Sequence, residues 1–365
     1  MTSASHPRPV HRIWNLSLIL FRFLSLLLLA VVTPGLSSPA RAGEATAPLQ
    51  RFEFEKPEMG MPFRFVLYAR DQAAADAAAG AAFQRIEELN AIMSDYEQDS
   101  ELCSLSRTSG LGRSVPVSDD LWFVLDRARR LSARSDGAFD VTVGPCVILW
   151  RKARRDHKLP DAARLAQARK AVGYRLMVLD PRHRTVRLKA PGMRLDLGGI
   201  AKGYAVDEAL RVLGRNGITS ALVAGAGDLA VSDPPPDKSG WRIELAPLDV
   251  TNAPPAKFVL LSHAAIATSG DLFQRLEIDG KRYSHIVDPR TGIGLTDHSL
   301  VSIIAKDCIT ADSHTKVVSV LGPKRGMRFI ERTKGIEARV VRKVADTIEM
   351  RESPGLNRYY DKNQD

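Results

Sequence analysis

Cysteine is scarce in this chain: there are three in 365 residues, an odd number, and no C-x-x-C spacing. That count argues against a disulfide framework, so we expect Cys103, Cys146 and Cys308 to be small buried thiols. The chain also lacks a Walker motif and a G-x-G-x-x-G turn, so neither of those nucleotide-binding classes applies. It has no internal repeat at a fixed period, which excludes a repeat architecture.

Aromatic residues are also few, at 6% of the chain. The net charge of +10 comes from basic residues that are scattered, with the densest cluster at residues 151–155. Nucleic-acid binding needs a clustered basic stripe with aromatic partners, so we exclude that class. A phosphate-bearing small molecule or an acidic protein partner fits the charge.

The N-terminal segment has the pattern of an export signal. Arg8 and Arg12 precede an apolar run over residues 13–32, and the triplet Ala-Arg-Ala follows at residues 40–42. A basic start, an apolar stretch and an A-x-A ending are typical of a secretory signal peptide. The run is near membrane-spanning length, so a retained anchor is the alternative. We expect a signal peptide at residues 1–42 and a protein in the periplasm or facing it at the inner membrane.

Helical and strand patterns mix without strict alternation in the rest of the chain, which favours the α+β class over a doubly wound sheet. We expect one large domain of mixed sheets with flanking helices at residues 59–352. A polar leader at residues 43–58 would precede it, and a polar tail at residues 353–365 would follow it. The predicted helices cover residues 73–94, 119–135, 162–172, 201–215 and 311–321.

A strand-to-helix turn at residues 196–207 carries the first candidate binding residues. Asp196 precedes two adjacent glycines, and Lys202 lies in the helix that begins there. Paired glycines allow close approach of the backbone, and free N–H groups at a helix start favour phosphate. Lys202 adds a mobile positive charge and Asp196 adds an acceptor. The segment therefore indicates a phosphate site, although an ordinary tight turn has the same composition.

A second polar cluster follows a predicted Asp-Gly hairpin turn, within residues 277–292. The return strand presents Ser284 and His285, and Asp288 lies three residues after the histidine. A histidine near a carboxylate can be held as a base that takes a proton from a hydroxyl. A lone histidine is more often structural, but this density of polar groups in one stretch favours function.

The third cluster lies at residues 310–316, at a predicted helix start. Asp312 shares a helix face with Thr315 and Lys316. A carboxylate with hydroxyl and carbonyl oxygens is the kind of ligand set that suits Mg²⁺. Taken alone, an aspartate in this position is more often a helix cap.

Together the three segments resemble the ApbE family, the FAD:protein FMN transferases. The two most specific matches are Asp-Leu-Gly-Gly-Ile-Ala-Lys-Gly-Tyr at residues 196–204 and Ser-His-Ile-Val-Asp-Pro-Arg-Thr-Gly at residues 284–292. The resemblance covers about residues 52–350. Further matching segments lie at residues 59–60, 93–96, 100–102, 137–145 and 225–229.

The resemblance implies that FAD is the substrate and lies in an extended cleft. It implies a Mg²⁺ ion held by the Gly199 carbonyl and by the segment of Asp312, which would neutralise the FAD pyrophosphate together with Lys202. His285, beside Asp288, would activate the acceptor hydroxyl, and AMP would leave. The residues implied to bind FAD are Met59, Tyr96, Ala138, Phe139, Asp140, Asp196 and Lys202.

Two residues depart from the family pattern. Met61 and Lys316 stand where the family usually has threonine, and lysine cannot be an oxygen ligand. We expect Lys316 to turn outward, because a lysine stem readily carries its charge to solvent, and Thr315 to serve the metal. The alternative is an inward Lys316 that competes with Mg²⁺ or partly replaces it.

The family's acceptor motif is Asp/Ser-Gly-Ala followed by Ser or Thr, so the resemblance implies an acceptor protein with that motif, such as an electron-transfer subunit. Residues 136–138 of this chain read Asp-Gly-Ala, but Phe139 follows and offers no hydroxyl. Self-flavinylation at that place is therefore excluded. Two other functions stay open: an FAD pyrophosphatase that releases FMN and AMP, and a non-catalytic FAD-binding protein.

Overall fold

An eight-stranded antiparallel sheet is the centre of the part of the chain that the structure describes. The structure is a computed structural model, and its described residues are 48–248, 250, 255–270 and 275–362. They belong to one compact unit, Ala47–Asp365, in which helices and strands mix. The expected α+β arrangement is therefore present. The signal peptide expected at residues 1–42 lies outside the described residues.

The sheet order is β1-β2-β6-β7-β10-β13-β14-β15, and smaller sheets are formed by β3-β5-β4, β8-β9 and β11-β12, with bounds as follows. The strands are β1 Gln50–Glu58, β2 Met61–Ala69, β3 Val115–Pro116, β4 Met177–Asp180, β5 Thr185–Leu188, β6 Ala221–Gly225, β7 Asp228–Val231, β8 Trp241–Leu245, β9 Lys257–Leu261, β10 Ala264–Gly270, β11 Arg275–Ile278, β12 Lys281–Ser284, β13 His298–Ala305, β14 Glu337–Val344 and β15 Thr347–Glu352. The helices are α1 Gln72–Met93, α2 Glu101–Ser106, α3 Asp119–Arg134, α4 Gly144–Asp156, α5 Ala162–Arg169, α6 Ala201–Arg215 and α7 Cys308–Glu331.

Strand alternation decides which side of the large sheet each residue covers. On β2, Phe63, Phe65 and Leu67 are fully buried in the main core, among residues of α1 and α6. Val66 points to the opposite face, where it packs with residues of the β8-β9 hairpin. Each such buried side chain contributes about 1.5–3 kcal/mol. Both faces of the sheet are therefore covered. None of the helices in the described residues is long and apolar enough to cross a membrane.

Two segments expected to lie outside the domain are part of it. The expected leader at residues 43–58 contains β1, which pairs with β2 along its whole length. The expected polar tail contains a 3-10 turn at Pro354–Tyr359 whose Leu356 is 2% exposed. Next to it, Asp361 accepts a hydrogen bond from Arg242 at 2.9 Å. The described parts of these segments, residues 48–58 and 353–362, are therefore corrected to structural elements of the domain.

Helices α6 and α7 pack unusually closely, and this contact positions the candidate site. A Cβ atom added to Gly203 would lie 2.4 Å from the Cys308 carbonyl oxygen. Only glycine allows that approach. The Asp207 carboxylate of α6 accepts the N–H groups of Cys308 and Ile309 at 2.7 and 2.9 Å, which satisfies the first turn of α7. The two helix starts are therefore fixed against each other.

Helix α7 is broken near its middle. Gly322 has φ 72°, outside the helical range, and Pro323 follows it. Proline has no N–H to donate, so a normal backbone hydrogen bond is lost at this point. In the same turn, the Val320 carbonyl accepts a hydrogen bond from Arg290 at 3.1 Å. The break therefore attaches the loop after β12 to α7.

Candidate active site

Two ammonium groups and two carboxylates meet where α6 and α7 pack on β7 and β10. The Lys316 Nζ donates to Asp312 Oδ1 at 2.5 Å and to the Ser269 hydroxyl at 2.7 Å. The other oxygen of Asp312 accepts the Gly203 N–H at 3.2 Å. Lys202, the residue before Gly203, donates a hydrogen bond to the Gly198 carbonyl at 2.5 Å. The fourth group, Asp228, begins β7 and is buried.

Lys316 turns inward, which corrects the expectation of an outward side chain. Its side chain is 15% exposed, and Asp312 is fully buried. A Cβ atom added to Gly199 would lie 3.2 Å from Lys316 Cγ and 3.4 Å from Phe139 Cε2. The lysine stem therefore crosses the glycine turn. A buried partner carboxylate holds its charge inside, because an unpaired buried carboxylate would be costly.

The charges of the cluster keep Lys202 and Asp312 ionised but not Asp228. Burial alone would lower the pKa of Lys202, but the carboxylates of Asp312, Asp228 and Asp196 outweigh it and raise that pKa. Burial also opposes ionisation of Asp312, yet Lys316 and then Lys202 hold its pKa below the ordinary value. For Asp228, burial and next the Asp312 carboxylate raise the pKa to about 7. The second carboxylate is therefore the less firmly ionised of the two.

Two of the three expected magnesium ligands, Asp312 and Thr315, do not fit a divalent ion as they stand. Both oxygens of Asp312 already accept hydrogen bonds, one of them from an ammonium group. The Thr315 hydroxyl is fully buried, donates to the Asp312 main-chain carbonyl at 2.6 Å and lies 2.9 Å from the Ser269 hydroxyl. No group of three His, Cys, Asp or Glu side chains within the described residues could hold a metal. We therefore derive no step through magnesium.

Asp196 and Tyr96 are joined by a residue that the sequence did not single out. The Arg151 guanidinium donates to Asp196 Oδ2 at 3.0 Å and to Asp95 Oδ2 at 2.5 Å. It also lies 4.1 Å from the centre of the Tyr96 ring. Tyr96 is 71% exposed, which is high for an aromatic residue. Two of the expected FAD-binding residues are thus brought to one place, with an aromatic ring open to solvent.

The three residues of segment 138–140 have different positions relative to the candidate site. Phe139 lies beside the glycine turn, and Ala138 packs with Ile286 and Val320, so both lie near the candidate site. The Asp140 carboxylate accepts the Thr142 N–H and hydroxyl and the Tyr174 N–H at 2.7–2.9 Å. Asp140 therefore holds this loop in shape, and its expected contact with FAD stays a prediction.

His285 follows directly after β12 and is half-buried. Its strand is fixed by Trp150, which donates to the Ser284 carbonyl at 3.1 Å. Both carboxylate oxygens of Asp288 accept hydrogen bonds from the Arg290 side chain, at 2.9 and 2.8 Å, which holds the turn after His285. The roles of His285 as a base and of Asp288 beside it stay predictions.

Met59 lies in the turn between β1 and β2, with φ 49°, and is half-buried against the main core. The register pairs Phe63 with Gly225, and Gly225 with Asp228. The Met59 turn therefore lies at the same end of the sheet as the β6-β7 turn that carries Asp228.

Three residues of the site were missed in the sequence: Arg151, Asp228 and Ser269. Asp228 could have been found, because Gly-Ala-Gly-Asp at residues 225–228 is a tight turn with a carboxylate. Arg151 lies in the densest basic cluster, but only the fold shows which of those residues faces inward. Ser269 has no local signal, since its contact with Lys316 spans 47 residues.

The fold and the site together define a single-domain α+β protein with a charged binding site on a glycine-rich helix start. The chain belongs to the ApbE family, whose family model matches residues 59–340. It is similar to the FAD:protein FMN transferase of Vibrio cholerae, with 34% identity over 67% of this chain and 74% of the relative. A Klebsiella pneumoniae protein of the same name is 30% identical over 81% of this chain and 85% of the relative.

Solved structures agree with the family assignment. The apo form of the Pseudomonas stutzeri flavinyl transferase ApbE has a TM-score of 0.76 and 29% identity, covering 86% of this chain and 98% of the other. The flavin transferase ApbE from Vibrio cholerae has a TM-score of 0.77 and 29% identity, covering 86% of this chain and all of the other. The match therefore extends over the whole fold.

Proposed function

We propose that this chain is an FAD:protein FMN transferase that moves FMN from FAD onto a Ser or Thr hydroxyl of an acceptor protein and releases AMP. The observation that carries the proposal is the pair of ammonium groups, Lys202 and Lys316, at the glycine turn where α6 begins. A pyrophosphate is a dianion, and such a cationic turn favours it. The family membership and the names of the relatives support the same activity.

The reaction needs little covalent help from the protein. The acceptor oxygen attacks the FMN-side phosphorus of FAD, a new P–O bond forms, and the bond to the AMP phosphate breaks. The hydroxyl proton goes to His285, and AMP leaves with the electron pair of the broken bond. Phosphoryl transfer depends mainly on positioning and on neutralising charge. Lys202 and Lys316 supply that charge, and the exposed Tyr96 ring offers a stacking surface to a planar ring of FAD.

Magnesium dependence is not part of this proposal. A divalent ion on Asp312 would have to displace the Lys316 ammonium from its partner oxygen.

The acceptor is a protein with an Asp/Ser-Gly-Ala-Ser/Thr motif, such as an electron-transfer subunit. The N-terminal sequence pattern supports export, so the reaction would take place in the periplasm or at its membrane face.

A peptide assay tests the function. The purified protein is incubated with FAD and a peptide that contains Asp-Gly-Ala-Thr, and a matched peptide with Val in place of Thr is the control. We expect the first peptide alone to gain the mass of one FMN residue, with an equal amount of AMP released. FMN and AMP without a modified peptide would indicate a pyrophosphatase. Bound but unchanged FAD would indicate a binding protein.

A further inference from the structure

We propose that the ammonium group of Lys316 is the resident cation of this site and stands in place of a divalent metal on Asp312. The proposal rests on the proposed function only in taking the FAD pyrophosphate as the ligand. It makes Lys316 a binding residue for that pyrophosphate and Asp312 the positioning residue that holds it.

The first support is geometric. Lys316 lies one helical turn after Asp312 on α7, and its Nζ reaches Asp312 Oδ1 at 2.5 Å and Ser269 Oγ at 2.7 Å. Its stem packs along Gly199, so the side chain is held from both ends. An ammonium group with three donors, bound to a fully buried carboxylate, is a fixed charge rather than a mobile one. The cation position is thus occupied by the chain itself.

The second support is that a divalent ion and this ammonium exclude each other. Mg²⁺ binds oxygen at about 2.1 Å, so an ion on Asp312 Oδ1 could lie no farther than about 4.6 Å from the lysine nitrogen. Two cations that close repel strongly in a buried site. The Thr315 hydroxyl, the other expected ligand, donates to the Asp312 carbonyl within its own helix turn. A metal would therefore need Lys316 to leave a packed position.

The third support is the charge balance of the cluster. Two ammonium groups, Lys202 and Lys316, lie beside the firmly ionised carboxylate of Asp312, so the cluster carries positive charge without a metal. One oxygen of Asp228 has no hydrogen-bond partner among the described residues. If Lys316 is removed, two neighbouring carboxylates face a single lysine. That arrangement attracts a divalent cation, so the Lys316→Thr variant should acquire the metal site that the wild-type chain lacks.

The experiment compares metal binding and FAD binding in five proteins: the wild type, Asp312→Asn, Lys316→Thr, the double variant Asp312→Asn with Lys316→Thr, and Lys324→Thr. Lys324 is exposed on the same helix and is the matched control. Mn²⁺ binding is measured by electron paramagnetic resonance, with and without FAD. FAD affinity is measured by fluorescence quenching, in EDTA and in excess Mg²⁺.

We expect the wild type to bind FAD equally well in EDTA and in Mg²⁺ and to hold no stoichiometric Mn²⁺. Lys316→Thr should lose about 10–100-fold in FAD affinity in EDTA, since it loses a charged hydrogen-bond donor. Mg²⁺ should restore that affinity, and one Mn²⁺ should bind per chain. The double variant should lose the Mn²⁺ again, and Lys324→Thr should behave as the wild type.

A single result overturns the proposal: the wild type holds one Mn²⁺ per chain, and Asp312→Asn removes it. This comparison does not depend on the folding of any Lys316 variant. Circular dichroism checks that the Asp312→Asn protein is folded. If FAD binds to none of the proteins, the proposed function is wrong, and the Mn²⁺ titration still decides whether Lys316 occupies the cation position.

Discussion

His285 is the residue on which the chemistry of transfer depends most directly. If it takes the proton of the acceptor hydroxyl, His285→Ala should lower the transfer rate by about 10²–10⁴-fold, the usual contribution of a general base. FAD affinity should change little, because the charged groups that hold the pyrophosphate are untouched. Mass spectrometry of the acceptor peptide gives the rate, and fluorescence quenching gives the affinity.

His183 provides the control for that variant. It is exposed beside the β4-β5 turn and pairs with Asp180, so His183→Ala should transfer FMN at the wild-type rate. If His285→Ala also transfers at the wild-type rate, the base is another group.

Tyr96 should contribute to FAD affinity through its ring. Stacking of a base on an aromatic side chain is worth about 1–3 kcal/mol, so Tyr96→Ala should weaken FAD binding by about 10–100-fold. Tyr96→Phe keeps the ring that lies under Arg151 and should bind as the wild type does. Equal FAD affinities in all three proteins would mean that the ring faces solvent without a ligand.

Residue identity was easier to predict than side-chain direction. The sequence identified Lys202 and Asp196 because they lie beside two glycines, and the structure brings both to the site. The direction of Lys316 could not be predicted, because it depends on Gly199 and Ser269, which are distant in sequence. Likewise, the pairing of Asp288 with Arg290 was not predicted, because the spacing of the two residues alone does not show the direction of the arginine side chain.

At the scale of elements, the contact between α6 and α7 should be sensitive to one methyl group. Gly203→Ala places a Cβ 2.4 Å from the Cys308 carbonyl and 2.8 Å from Asp312 Cβ. Overpacking of this kind costs about 1–3 kcal/mol. Urea unfolding should show that loss, and FAD affinity should fall because Asp312 is displaced with Lys316.

Gly214, near the other end of α6, is the matched control. Among the described residues, no atom lies within 4 Å of a Cβ added there. Gly214→Ala should therefore stabilise the protein by about 0.5–1 kcal/mol, because alanine loses less backbone entropy in a helix. If both variants unfold alike, the helices do not pack as closely as described.

Elements with a regular pattern were predicted well, and α6 matches its expected residues 201–215. Strand β1 was predicted to be part of a leader because only one of its faces is apolar. One apolar face is sufficient for a strand at the edge of a sheet, which pairs with a neighbour on one side only. Helix α4 was not predicted, because it begins with a Gly-Pro pair, which by itself indicates a turn. Proline is, however, also favourable in the first turn of a helix. The end expected at residue 321 coincides with the break at Gly322, and a further helical stretch continues from there to Glu331.

At the scale of the whole molecule, His314 should make stability depend on pH. It is 5% exposed, its Nδ1 donates to the Thr310 carbonyl at 2.8 Å, and burial lowers its pKa from 6.5 to about 4. As the pH falls below about 6.5, the unfolded chain takes the proton first. The contribution of His314 to stability should therefore decrease between pH 6.5 and 4, by up to about 3 kcal/mol.

Urea unfolding at pH 7.5 and 4.5 checks this prediction. The variant His314→Asn keeps a donor near the Nδ1 position but does not titrate. Its free energy of unfolding should fall by about 2 kcal/mol less than that of the wild type between the two pH values. Equal losses in the two proteins would show that His314 does not drive the acid sensitivity.

The break in α7 has a consequence for how the chain tolerates substitution. The loop that carries His285 is attached to α7 through Arg290 and a main-chain oxygen, the carbonyl of Val320. Every amino acid supplies that oxygen, so replacing Val320 leaves the acceptor in place. A change that straightens the helix, such as an alanine at residue 322 or 323, would draw the same oxygen into the helix's own ladder. The contact between the loop and α7 therefore tolerates substitution of Val320, whose oxygen it uses. It is sensitive to substitution of Gly322 and Pro323, which take no part in the hydrogen bond.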